Sequence, residues 1–151
     1  MNIHPNHFSH QIIGAAIEIH RALGPGLLES AYQRCMHREL ELRGIPFKPE
    51  VWIDVVYKGI QIRKAYRVDF LVAGVVAVEL KSASSLTPID DAQLLTYLKL
   101  GGWPLGLLIN FNVPVLKDAK RWDPPTSTKP SGVNLSDPRR LSGSAVNRSQ
   151  I

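Results

Sequence analysis

Helix, helix, three strands, helix, strand: the hydrophobic periodicity of this chain, in that order (ααβββαβ), predicts an α/β domain with a mixed β-sheet flanked by helices. Three observations carry that expectation. Residues 8–43 repeat apolar side chains at helical spacing around one Gly-Pro-Gly break. Residues 47–82 read as strands punctuated by short glycine turns. Residues 87–111 return to a helix and then an apolar strand, and a strand–helix–strand run is how a parallel pair enters a sheet.

Each element has its own signal. Phe8, Ile12, Ala15, Ala16, Ile19 and Leu23 share a helical face, so a first helix is expected over about Phe8–Ala22. Gly24-Pro25-Gly26 ends it. A second helix over about Leu27–Arg43 carries Leu28, Ala31, Cys35 and Leu42 as its apolar stripe and stops at Gly44. Strands follow over about Phe47–Tyr57, Gln61–Val72 and Val75–Ser82, the first two joined at Lys58-Gly59. Thr87-Pro88-Ile89-Asp90 reads as an N-cap, a first-turn proline and an acid near the free amides, opening a helix that runs to Leu100. Leu105–Phe111 suits a buried strand, with a turn or strand to follow up to Trp122.

Composition bounds the rest. At 151 residues and 44% hydrophobic, the chain holds one domain with a real core, expected over residues 1–122. Residues 123–151 turn to Pro, Ser, Asn, Gly and Arg without apolar period, the pattern of a disordered basic tail. No apolar stretch reaches the ~18 residues of a membrane span, and the polar opening Met1–Gln11 does not resemble a leader, so a cytoplasmic protein is expected. The single Cys35 excludes an internal disulfide and fits a reducing compartment. A formal charge of +5 favours a polyanionic partner such as nucleic acid. His4, His7 and His10 fit zinc poorly, because Pro5 interrupts them and no cysteine cluster completes a site.

The chemistry concentrates where Asp69 nears the end of one strand and Glu79-Leu80-Lys81 closes the next. Two carboxylates hold a hard cation through oxygen, and such a cation neutralises phosphate charge and activates water. Lys81 falls on the same strand face as Glu79, two residues away. A two-residue loop would put Asp69 and Glu79 on opposite faces. A three-residue loop of Val72, Ala73 and Gly74, with glycine in its usual left-handed last place, sets Asp69 opposite Ala77 and leaves Asp69, Glu79 and Lys81 on one face. Spacing alone also allows a solvated strand face with an incidental ion pair.

An acid on one strand and E-x-K on the next resembles the PD-(D/E)XK nuclease superfamily. Gly26-Leu27-Leu28-Glu29-Ser30-Ala31-Tyr32 reads G-x-x-E-x-x-Y and resembles the GxxExxY family within it. The resemblance extends through Ile19–Gly26, Tyr66-Arg67-Val68-Asp69, Gln93–Leu98 and Gly106–Phe111, covering about Ile12 to Trp122. Single motifs of this length are weak, but a set in order is not.

The resemblance implies a restriction-endonuclease-like fold and magnesium-dependent hydrolysis of phosphodiester bonds, with Mn2+ substituting. Asp69 and Glu79 would bind the metal, joined by the Leu80 carbonyl, with Lys81 serving the attacking water and Glu29 as an extra acid. Tyr32, Gln93 and Tyr97 are the cleft residues it implies, while Arg67, approaching Asp69 along its strand with Arg63 and Lys64, could receive a nucleic-acid backbone. Four of these have a plainer reading beside the implied one: Glu29 as a carboxylate favoured in a first helical turn, Tyr32 as a residue at the core's edge, Gln93 as surface glutamine, Arg67 as a solvated strand cation. The expected partner is DNA or RNA, without a membrane, and a homo-oligomer is compatible with all of this. A non-catalytic binder of nucleic acid or protein, keeping the fold, is the competing class. Hydrolysis of a small phosphoester is a third. His20 has no mechanism in this scheme beyond capping the first helix.

Overall fold

A computed structural model describes residues 4–124 and 146–147. The elements are α1 (Pro5–Leu23), α2 (Glu29–Leu42), β1 (Phe47–Tyr57), β2 (Ile60–Val72), β3 (Val76–Lys81), α3 (Pro88–Gly101), β4 (Leu105–Asn110), β5 (Lys120–Asp123) and β6 (Val146–Asn147). The strands form one sheet in the order β1-β2-β3-β4-β5-β6. Among the described strands only β3 and β4 run parallel, as the α3 crossover between them requires. The mixed sheet and its flanking helices are the α/β architecture expected, consistent with a restriction-endonuclease-like fold. Of the expected tail, 123–151, all but 123–124 and 146–147 lies outside the described residues.

The sheet is covered on both faces. Val76, Val78 and Leu80 of β3 and Leu107 and Ile109 of β4 pack against α1 and α2. Ala77 and Leu108, on the opposite pleat, pack against Leu94, Tyr97 and Leu98 of α3. Near-continuous burial along β3 and β4 follows from this sandwiching. Gly106 lets α3 approach closely: a Cβ there would lie 3.0 Å from Leu94 Cγ and Leu98 Cδ1. The expected capping of α3 is present in full, with Thr87 Oγ1 accepting from the Asp90 N–H and the Asp90 carboxylate accepting from the Thr87 N–H.

Two expectations change. The buried stripe of α2 is Tyr32, Met36 and Leu40, whereas Leu28 and Leu42 are 78% and 63% exposed. The helix is therefore turned by about one residue from the Leu28–Ala31–Cys35–Leu42 face, because large side chains one position along fill the space under the sheet. The β2–β3 turn is also displaced by one residue. Val72 stays in the ladder, opposite both Phe47 and Val76, and the loop is Ala73-Gly74-Val75. Ala73 and Gly74 take φ of 52° and 70°, and the Val75 N–H closes the turn on the Val72 carbonyl at 3.0 Å. Ala73 accepts the left-handed backbone where its N–H reaches the Pro46 carbonyl at 2.8 Å. The register is thus Leu71 opposite Ala77, not Asp69 opposite Ala77.

Candidate active site

The ladder between β2 and β3 runs from Val72↔Val76 to Phe70↔Val78. One residue further, side chains replace it. The Asp69 N–H donates to Glu79 Oε1 at 2.9 Å, and the Leu80 N–H donates to Asp69 Oδ2 at 2.8 Å. Val68 packs on the α3 side while Phe70 packs on the α1/α2 side. Residues two apart in a regular strand share a face, so β2 turns at Asp69 and aims its carboxylate into the gap between the strands. On the β1 side of the same point, Glu50 has φ of 51°. The expectation that Asp69 and Glu79 come together holds, by a direct cross-strand pairing rather than the diagonal one.

The pair is electrostatically strained. Burial pushes Glu79 up to about 8, and the Asp69 charge adds to the rise. Burial raises Asp69 as well, with Glu29 adding repulsion and a hydrogen bond from the Leu80 amide and the Arg67 charge opposing it. Two acids this close, 5% and 8% exposed, have among the described residues Arg67 near Asp69 and the Lys81 charge acting on Glu79. Such a pair favours a bound cation or a shared proton. Among the described residues no group of three or more His, Cys, Asp or Glu side chains closes into a metal-holding cluster. Asp69 and Glu79 could offer a hard cation two carboxylate donors, a kind of site at which Mg2+ would keep several of its waters.

Glu29 is the first residue of α2, and its charge reaches both acids. What places it there is a folded loop. Gly26 has φ of 96°, the Tyr32 hydroxyl donates to the Gly24 carbonyl at 2.6 Å and accepts the Leu27 N–H at 3.3 Å, and Ser82 Oγ donates to the Leu27 carbonyl at 2.7 Å. The segment G-x-x-E-x-x-Y is thereby pinned to the end of β3. Tyr32 itself is not brought to the cleft: it is fully buried and stacks on Phe111 with centroids 4.3 Å apart. It holds the loop instead of touching a ligand.

Lys81 lies on the same pleat as Glu79, with Nζ 3.7 Å from Asp90 Oδ1, and its charge partly offsets the rise at Glu79. Asp90 sits below the usual carboxylate range, held there first by the Thr87 amide. Tyr97 lines the α3 side: burial pushes its phenol up to about 12, with the Glu79 charge adding. Gln93, one turn earlier, is exposed. Arg67 Nη2 stands 3.9 Å from Asp69 Oδ1, at the open edge. The Leu80 main chain meets Asp69 through its N–H.

Gln33 was invisible to pattern. Its Nε2 donates to Asp69 Oδ1 at 2.9 Å, fixing the carboxylate from α2. Its only sequence signal is being one helical turn after Glu29. On this side an open cavity of about 490 Å³, lined by Gln33, Arg34, His37, Arg38, Glu50 and Asp69 among others, gives solvent a path to the site. The His20 side chain bonds away from the end of α1: its Nε2 donates to the Val113 carbonyl at 2.8 Å, tying α1 to the segment after β4.

No helix among the described residues is long and apolar enough to cross a membrane. Neither the curated proteins nor the solved structures contain a match to this chain. A family model described as the PD-(D/E)XK nuclease superfamily matches residues 6–122, which takes in every element from α1 through β4 and most of β5. With an acid on one strand, E-x-K closing the next and most of its length matched, the chain belongs to the PD-(D/E)XK nuclease superfamily, whose members generally hydrolyse nucleic acids and usually use divalent metals.

Proposed function

We propose that this chain is a magnesium-dependent nuclease of the GxxExxY type, cleaving phosphodiester bonds of DNA or RNA. The single observation that carries the reading is the buried Asp69–Glu79 pair, with Glu79 pushed up to about 8 by burial and by Asp69. A sheet interior holds two such acids at a cost in stability, and a cation relieves that cost. Asp69 and Glu79 would hold Mg2+ or Mn2+, with the Leu80 carbonyl as a further oxygen. When bound, the ion would neutralise phosphate charge and lower the pKa of water. Lys81 would orient the attacking water and stabilise developing negative charge on the phosphate. Glu29 would accept a proton or hydrogen bond from water at the mouth of the site. Arg67 and Tyr97 would border the substrate, and Gln33 would keep Asp69 oriented. Gln93 would reach a phosphate oxygen from the exposed face of α3.

The competing reading is a binder of nucleic acid or protein that retains the fold. It draws on the lack of a three-ligand cluster among the described residues. The deciding experiment is cleavage of labelled single- and double-stranded DNA and RNA, with Mg2+ or with EDTA, by the native chain and by Glu79→Gln. Metal-dependent cleavage lost in the variant supports the nuclease. No cleavage of any substrate by the native chain overturns it.

A further inference from the structure

The N-terminal half of β2 does not lie in the body of the sheet. Its ladder with β3 covers only Phe70–Val72, so residues 60–62 and 66–68 pair with β1 alone among the described strands. Because β2 and β3 are antiparallel, this β1–β2 arm projects beyond the end of β3 that carries Glu79 and Lys81. From Asp69 to Ile60 it extends roughly 30 Å, at about 3.3 Å per residue. Residues 56–65 are exposed throughout.

The arm is shaped by a bulge. Ile53 pairs with Tyr66 and Val55 with Ile62, so Asp54 faces three residues of β2, Arg63, Lys64 and Ala65. Asp54 fixes the irregularity by accepting the Lys64 N–H at 2.8 Å, and Lys64 takes φ of 51°. The result is an exposed aromatic ring with two cations beside it: Lys64 Nζ lies 5.6 Å and Arg67 Cζ 5.8 Å from the centroid of Trp52, which is 48% exposed. Arg67 also reaches toward Asp69. Arg67 therefore links an exposed indole to Asp69, one of the candidate catalytic acids.

We propose that Trp52, Lys64 and Arg67 form a subsite for unpaired nucleotides flanking the scissile phosphate, a proposal that rests on the nuclease reading of the site. A large exposed indole in mid-strand offers a face on which an unstacked base can lie. The two cations meet the phosphates on either side of that base, and stacking with charge is how single strands are held without sequence readout. A duplex keeps its bases stacked and offers Trp52 only backbone. The occupant is thus single-stranded nucleic acid or an unpaired end. Of the exposed apolar residues nearer the tip, Ile62 pairs with Val55 and Ile60 with Tyr57 on the other pleat, and Val56 shares the pleat of Trp52.

The test is fluorescence anisotropy in EDTA with labelled single-stranded DNA and RNA oligonucleotides and the corresponding blunt duplex. The proteins are the native chain, Trp52→Ala, Trp52→Phe and Lys64→Gln, each checked by thermal melting and sedimentation. Trp52→Ala should weaken single-strand binding about tenfold, with a smaller effect on the duplex, and Trp52→Phe should restore most of it. Lys64→Gln should lower the salt slope by about 0.7, one single-strand phosphate contact. Equal single-strand affinity of Trp52→Ala and the native chain overturns the subsite, as does an equal loss on both substrates. A change of oligomeric state without a change in binding overturns it in favour of contact between copies. Cleavage by the native chain with binding indifferent to Trp52 defeats the subsite and leaves the nuclease standing. Trp52-dependent binding without cleavage by the native chain does the reverse.

Discussion

Asp69 and Glu79 replace the next rung of the β2–β3 ladder: the amide of Asp69 donates to Glu79 Oε1, and Asp69 Oδ2 accepts the amide of Leu80. The acids are structural staples as well as candidate metal ligands, so their protonation is coupled to folding. Glu79 rises from 4.5 to about 8 by burial and the Asp69 charge, and Asp69 rises too. An acid with a raised folded pKa contributes its full stability below the unfolded value and loses it as pH rises through the folded one. Metal-free protein should therefore lose stability from pH 4.5 to about 8, by an amount on the order of a few kcal/mol at about 1.4 per unit. Thermal melts in EDTA across that window, beside Glu79→Gln, check this. The variant should show a much flatter profile, and parallel profiles would falsify the assignment.

Magnesium should raise the melting temperature of the native chain by linkage, more at the alkaline end of that window because the ligands must be deprotonated. Asp69→Asn should abolish the response. It is a less neutral change than Glu79→Gln, since Asp69 accepts from both the Leu80 amide and Gln33 and an asparagine has one acceptor oxygen. Its metal-free stability therefore reflects relief of repulsion minus one lost hydrogen bond. Equal magnesium shifts in the native chain and the variant remove the metal site from consideration.

Sequence pattern carried the element order, the helix punctuation and the meeting of Asp69 with Glu79, because these follow from local periodicity and turn chemistry. The one-residue displacement of the β2–β3 turn escaped it. Ala73 takes a left-handed backbone that pattern assigns to glycine, supported by the Pro46 carbonyl, which is distant in sequence. The opening of the strands at Asp69 escaped it too, since alternation assumes a straight strand. The position of Tyr32 differs from the pattern for a related reason. Choosing Leu28, Ala31 and Cys35 as the α2 stripe puts the tyrosine at the edge, whereas the helix turns it under the sheet onto Phe111. Gln33 acts through a long-range hydrogen bond that no local pattern encodes.

Tyr32→Phe separates holding from binding. It removes the hydroxyl that bonds the Gly24 carbonyl and the Leu27 amide while keeping the stack on Phe111. Stability should fall by about 1–3 kcal/mol, the range for leaving buried partners unsatisfied. Substrate KM should stay near native well below the melting temperature. A large rise in KM with unchanged stability would return Tyr32 to the substrate.

At the turn, Ala73→Gly and Gly74→Val should have opposite signs. Ala73 is held at φ of 52° and Gly74 at 70°. Relieving the first should stabilise by up to about 1 kcal/mol, whereas a β-branched residue at the second should cost at least about 1–2 kcal/mol. Chemical denaturation of both variants decides it, and two shifts of the same sign contradict the turn geometry.

Lys81→Met tests catalysis apart from binding. The substitution removes the ammonium and keeps an apolar stem, leaving Asp69 and Glu79 paired through the main chain. It also releases Asp90, whose carboxylate keeps its capping bonds with Thr87 and should stay folded. If Lys81 acts on the water and the developing phosphate charge, turnover should fall by orders of magnitude while affinity drops only by about one phosphate contact. The magnesium-induced rise in melting temperature should survive, because neither carboxylate has changed. A binding module behaves differently: its native form cleaves nothing, and Asp69→Ala and Glu79→Ala tighten its grip on nucleic acid by removing negative charge beside phosphate. Cleavage rate and affinity measured on one substrate for the native chain and these three variants therefore separate the two. Native cleavage that collapses in Lys81→Met with near-native affinity establishes the lysine's role in the reaction. Equal losses in rate and affinity make it a contact for the substrate and nothing more.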